Sequence, residues 1–114
     1  MSAITTHILD TAAGRPAAGV AVRLDVQRGV EDWALVGRGE TDVEGRLRTL
    51  MPAGATLESG TYRLVFFTQP YFQRSGTATF YPHVIVVFDV GGGESHYHVP
   101  LLLSPFGYST YRGS

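Results

Sequence analysis

Fourteen glycines and six prolines cut this 114-residue chain into short apolar runs, and no segment keeps a 3.6-residue apolar period over ten positions. That pattern excludes long amphipathic helices and predicts short strands separated by tight turns. Residues 20–26 are the clearest case. Val20, Val22, Leu24 and Val26 alternate with Ala21, Arg23 and Asp25, the period of two expected of a strand with one wet face. Further runs at 4–9, 33–39, 46–50, 61–68, 84–90 and 96–103 end at turn-forming residues such as Gly14, Gly45 and Pro105. The run at 61–68 is apolar enough for both faces to be covered in part. A single helical turn fits near 71–76. Seven or eight strands with little helix predict an all-β fold, an antiparallel β-sandwich or small barrel.

Size and composition narrow the function classes. The mass of 12.4 kDa fits one domain spanning 1–114. A net charge of −1 carries no nucleic-acid footprint. All nine basic residues are arginine, which excludes lysine Schiff bases and a P-loop lysine. With no cysteine there is no disulfide, thiolate nucleophile or thiolate-bound metal. The first ten residues lack the pattern of a secretory signal, and no run approaches the ~18 apolar residues of a membrane span. A soluble, cytoplasmic protein is expected, with neither nucleic acid nor membrane as partner.

Four histidines are the ionisable residues of most interest, since imidazole titrates near neutral pH. His96 and His98 stand two apart in a strand run and so share a face, roughly 6.5 to 7 Å apart. Such a pair is either solvated and hydrogen-bonded or a metal-ligand pair, and carboxylates to complete a metal site are scarce nearby. His7 lies in the first run. His83 follows Pro82 and reads as structural. No serine sits in a G-x-S-x-G elbow, and the ten acids show no paired-carboxylate spacing. The last residues are unusual for a terminus, because Phe106, Tyr108 and Tyr111 bring three aromatics almost to the end. Such a tail is either a docked edge strand or part of a site or subunit contact.

Residues 96–114, ending Tyr111-Arg112-Gly113-Ser114, closely resemble the C-terminal signature of the 5-hydroxyisourate hydrolases, the transthyretin-related enzymes of urate breakdown. His7-Ile8-Leu9-Asp10 is similar to the family's His-Val-Leu-Asp segment. Thr41-Asp42-Val43-Glu44-Gly45-Arg46 resembles its Thr-Asp-x-x-Gly-Arg turn. The resemblance implies a transthyretin-like sandwich of two four-stranded sheets with one short helix, assembled as a homotetramer with sites between dimers. It implies His7, Arg46 and His98 as catalytic residues, with His96 ranked below His98. It also implies Tyr111, Arg112, Gly113 and Ser114 as the substrate-binding tail. The implied reaction opens a lactam ring of a small oxidised purine by hydrolysis, giving 2-oxo-4-hydroxy-4-carboxy-5-ureidoimidazoline without metal or cofactor. One histidine would activate water and the other return a proton, in either order, while Arg46 faces the developing oxyanion. The permanent charge of Arg46 would also repel a divalent cation. Two other readings of the same sandwich are a small-molecule binding module without turnover and a structural protein whose tail holds an oligomer together.

Overall fold

The computed structural model describes residues 3–91 and 93–114. The 91–93 glycine break therefore lies partly outside the described residues. In chain order the elements are β1 (Ile4–Asp10), β2 (Arg15–Pro16), β3 (Ala21–Gly29), β4 (Asp32–Glu40), β5 (Arg46–Leu47), β6 (Gly60–Phe67), α1 (Thr68–Gln73), β7 (Val84–Val90), β8 (Tyr97–Ser104) and β9 (Gly107–Thr110). They form two sheets, one ordered β2-β1-β8-β9 with β5 attached to β1, the other β4-β3-β6-β7. Every pairing is antiparallel except β1 with β8, which runs parallel from Ile4↔Tyr97 to Asp10↔Leu103. The expected β-sandwich with one short helix is what the chain forms, but the first sheet has five strands rather than four, because the two-residue β2 and β5 both pair with β1.

Alternation decides which side chains meet between the sheets. Ile4 and Ile8 of β1, Tyr97, Val99, Leu101 and Leu103 of β8, and Val22, Leu24, Leu64, Phe66 and Val84 of the facing sheet are all buried in one core. Each fully buried aliphatic or aromatic side chain contributes roughly 1.5–3 kcal/mol. The opposite parity of β1 and β8 sends Thr5, His7, His96 and His98 to the outer face, where the site lies. On the outer face of the other sheet, Asp25 is fully buried between Arg23 Nε at 2.7 Å and Arg63 Nε at 2.8 Å. The Trp33 ring stacks over Arg63 at 4.4 Å.

The helix begins three residues earlier than the pattern near 71–76 predicts. Thr68 leaves the strand and Pro70 falls in the first turn, where its missing N–H has no partner to lose. At the other end, Thr77 N–H donates to Phe72 O and Gly76 N–H to Gln73 O, with Gly76 at φ +68°. These are the paired bonds of a Schellman cap, which explains why the helix stops there. The run at 46–50 shortens to the two-residue β5, because after Leu47 the chain leaves the sheet.

Candidate active site

Four sequence segments build one outer-face cavity, and one of them, β8 with the stretch just before it, supplies His98 and His96. The first is β1. Its Thr5 is paired with His98 across the parallel ladder, while its His7 faces Pro100 on one side and Arg46 on the other. The second is the turn that delivers Arg46. Thr41 Oγ1 donates to Ala17 O at 2.7 Å and accepts from Val20 N–H at 2.9 Å, anchoring the turn's start. Asp42 Oδ1 accepts from the backbone N–H groups of Glu44 (2.9 Å) and Arg46 (3.0 Å), and Gly45 adopts φ +75°. The Arg46 N–H holds the Asp42 carboxyl below its usual range more than any other neighbour. Gly45 O accepts from Ile8 N–H at 2.8 Å, so the turn is bolted to β1 beside His7.

The third segment is the tail. After β9 the chain folds back over β8, where Gly113 N–H donates to His98 O at 2.8 Å. A Cβ on Gly113 would stand 2.6 Å from His98 Cδ2, so only glycine lets the tail lie this close to the ring. Arg112 stacks over Tyr97 at 4.9 Å and faces Glu94 at 3.7 Å.

The resulting cavity of about 160 Å³ is lined by Thr5, Thr6, Arg46, Arg48, His96, His98 and Ser114. Of the sequence-predicted residues, Arg46, His98 and Ser114 therefore converge. His7 stands beside them in register with Arg46, half-buried, its Nε2–H donating to Glu44 O at 2.9 Å. Tyr111 and Arg112 instead line a neighbouring groove of about 240 Å³ against β7, which His98 also borders. His83 is exposed and lies outside both cavities. Sequence reasoning missed Thr5, Thr6 and Arg48. The spacing of Arg46 and Arg48 by two residues was the available signal for the last.

The lining carries two guanidinium groups and no acidic side chain, apart from the loose approach of Asp42 to Arg48 at 3.8 Å. Its field therefore suits an anion or a developing oxyanion. Burial lowers the pKa of His98 below the ordinary 6.5, and the charges of Arg46, His96, His7 and Arg48 add to the effect. Both effects favour the neutral form of the ring. Among the described residues no three His, Asp or Glu side chains converge as metal ligands. Thr5 Oγ1 touches both neighbouring imidazoles, at 2.8 Å from His98 Nδ1 and 3.1 Å from His96 Nε2. Those rings stack with centroids 6.5 Å apart, at the separation their spacing predicts.

Residues 4–113 match the model of the HIUase/Transthyretin family. The chain belongs to that family. The 5-hydroxyisourate hydrolase of Caulobacter vibrioides is 47% identical to it, with all of both chains covered. The structure of Klebsiella pneumoniae 5-hydroxyisourate hydrolase superposes with a TM-score of 0.85 at 37% identity, again over both whole chains. Transthyretin from Sparus aurata superposes with a TM-score of 0.90 at 32% identity, covering 99% of this chain and 97% of its own. Membership is thus settled while the backbone alone does not separate hydrolase from transthyretin, since both superpose closely. The side chains of the cavity must do that. Among the described residues, no helix is long and apolar enough to cross a membrane.

Proposed function

We propose that this protein is a hydrolase that opens the lactam ring of 5-hydroxyisourate to give 2-oxo-4-hydroxy-4-carboxy-5-ureidoimidazoline, using histidine and arginine side chains without a metal. The observation that carries this reading is the convergence of a partly buried His98 with Arg46 and Ser114 on one small cavity that carries two guanidinium groups, with His7 alongside. Hydrolysis of a cyclic amide makes three demands. Water must lose a proton as it adds to the carbonyl carbon, and His98 Nε2 takes it. The carbonyl oxygen becomes an oxyanion, which the Arg46 guanidinium faces with fixed donors. As the C–N bond breaks, the departing ring nitrogen takes a proton from an imidazolium, with His7 as the partner histidine. Of the tail, Ser114 forms a wall of the pocket and Gly113 packs on His98, while Tyr111 and Arg112 approach the substrate space from the neighbouring groove that His98 borders.

The assembly proposed with this reading is a homotetramer, and unpaired edges near these sites support self-association of the chain. β7 and β9 each end a sheet, and Ile85, Val87, Tyr108 and Tyr111 are exposed along them. Exposed apolar strand edges are templates for pairing with another chain. A second subunit there would bring Tyr111 and Arg112 into the same enclosed space as His98.

The test is an ultraviolet assay in which urate oxidase generates fresh 5-hydroxyisourate and its spontaneous decay is compared with decay after adding the protein. Acceleration is expected, unchanged by chelator. The His98→Asn variant should lose about 10²–10⁴-fold, the usual contribution of a positioned proton acceptor. Arg46→Ala should lose about 10²–10³-fold. Folded protein that leaves the decay rate untouched would favour the binding-module reading instead.

A further inference from the structure

We propose that Thr5 is a positioning residue that fixes the tautomer of His98, accepting a hydrogen bond from its Nδ1–H and donating its own hydroxyl proton to His96 Nε2. The geometry requires some such division. A hydroxyl has one proton to donate, yet Thr5 Oγ1 lies within hydrogen-bond distance of two imidazole nitrogens. Thr5 is only 4% exposed, so a hydroxyl proton aimed at neither ring would be a buried, unpaired donor. One histidine must therefore accept from Thr5 and the other donate to it.

The surroundings decide which. His98 turns Nδ1 to Thr5, which leaves Nε2 as the nitrogen that can face the cavity. That cavity carries the donor-only guanidinium groups of Arg46 and Arg48 together with hydroxyl oxygens such as that of Ser114, which donate or accept. A bare Nε2 can accept from any of these groups, whereas an Nε2–H finds an acceptor in the hydroxyls alone and is opposed by both guanidinium groups. The bare form places the His98 proton on Nδ1, pointing at Thr5 Oγ1. Thr5 then passes its own proton to His96 Nε2, and the His96 proton resides on Nδ1. Both imidazoles are thereby held as Nδ1–H tautomers, the less common form of free neutral histidine. His96 gains a definite role in this arrangement: it is the terminal acceptor that keeps the hydroxyl pointed away from His98. The β1–β8 ladder makes the contact possible, because Thr5 and His98 are direct partners in the parallel register.

The assignment rests on the hydrolase reading only for what a bare Nε2 is used for, namely to accept a proton from water. Its test is accordingly split between a spectrum taken without substrate and a kinetic comparison. In ¹⁵N-histidine-labelled protein at neutral pH, both His96 and His98 should show protonated Nδ1 and bare Nε2. Thr5→Val keeps the side-chain shape and removes the hydroxyl. It should let both rings drift toward the Nε2–H form and lower kcat about tenfold to a hundredfold, as loss of an orienting partner does elsewhere. KM should stay within about threefold, because Thr5 acts through His98. Thr5→Ser should restore both the spectrum and most of kcat. A wild-type His98 protonated on Nε2, or a folded Thr5→Val variant with unchanged kcat, would overturn the proposal. Should Thr5→Val fail to fold, the wild-type spectrum decides alone. If the wild-type protein fails to accelerate substrate decay, the hydrolase reading falls while the tautomer assignment is still read from the same spectrum.

Discussion

At the scale of single residues, the candidate site depends on how closely groups are packed around the His98 ring. Burial is the main cause of its lowered pKa, with Arg46 next. In an NMR titration His98 should therefore titrate below 6.5, and Arg46→Gln should move its midpoint upward without reaching the value of a free imidazole. An unmoved midpoint would mean that the guanidinium does not act on the ring. The sign carries over to stability. Because the folded ring binds a proton less readily than the unfolded one, its contribution is whole above 6.5 and is lost as pH falls from there toward the folded midpoint. Gly113 acts on the same ring by contact. Its backbone is not left-handed, so Gly113→Ala suffers no local strain, only the approach to His98 Cδ2 at 2.6 Å and Pro100 Cγ at 3.2 Å. Displacing a catalytic group by about 1 Å can lower turnover about 10²-fold. We expect Gly113→Ala to lose activity on that scale while its unfolding midpoint barely moves. Full activity in that variant would show that the tail does not set the ring's position.

At the scale of elements, the Thr41–Arg46 turn shows how a sequence motif earns its spacing. Asp42 satisfies two backbone donors, Thr41 ties the turn to the segment before β3, and Gly45 lets the chain pass against β1. A Cβ at Gly45 would collide with Ile8 O, and φ +75° is itself disfavoured by about 1–2 kcal/mol for other residues. Gly45→Ala should therefore destabilise by at least about 2 kcal/mol in denaturant melts. Asp42→Ala should cut kcat by freeing the Arg46 backbone, and Asp42→Asn should largely restore it, since an amide oxygen accepts the same two bonds. Equal losses in the two variants would mean that charge, not turn geometry, is what Asp42 supplies. The His7–Asp10 segment divides similarly. His7 stands beside the cavity in register with Arg46, whereas Asp10 holds the fold: it accepts from Tyr71 Oη at 2.8 Å and Ala13 N–H at 2.9 Å, docking α1 onto β1. Burial and that carboxylate push the Tyr71 hydroxyl up to about 12.

These elements also show what could be read in advance. Strands with strict alternation, such as residues 20–26, were legible because burial parity is written one residue at a time. Resemblance of motifs supplied His7, Arg46, His98 and the tail. Thr5 was not legible, because a threonine in a strand is ordinary there and acquires its meaning only from the parallel register that sets it opposite His98. The helix start was missed because Thr68 belongs to an apolar strand pattern by composition, and only the turn at Pro70 breaks it.

At the scale of the whole molecule, the two sheets leave β7 and β9 as edges, and the groove between β7 and the tail holds Tyr111, Arg112 and one side of His98. The tail thus touches both the cavity, through Ser114, and the surface proposed for assembly, through Tyr111. These two roles separate experimentally. A short polar extension after Ser114 places new atoms at the cavity mouth but leaves the β7 and β9 edges unchanged. If the tail is a wall of the active site, the extended protein should sediment as the same oligomer, melt at nearly the same temperature and lose at least about tenfold in kcat/KM, a barrier increase of about 1.4 kcal/mol. If the tail only joins subunits, dissociation and lost activity should instead rise together and be reversed at higher protein concentration, because association follows mass action. An extension that changes neither quantity would remove the tail from the site altogether, leaving β1, the Arg46 turn and β8 to enclose the substrate.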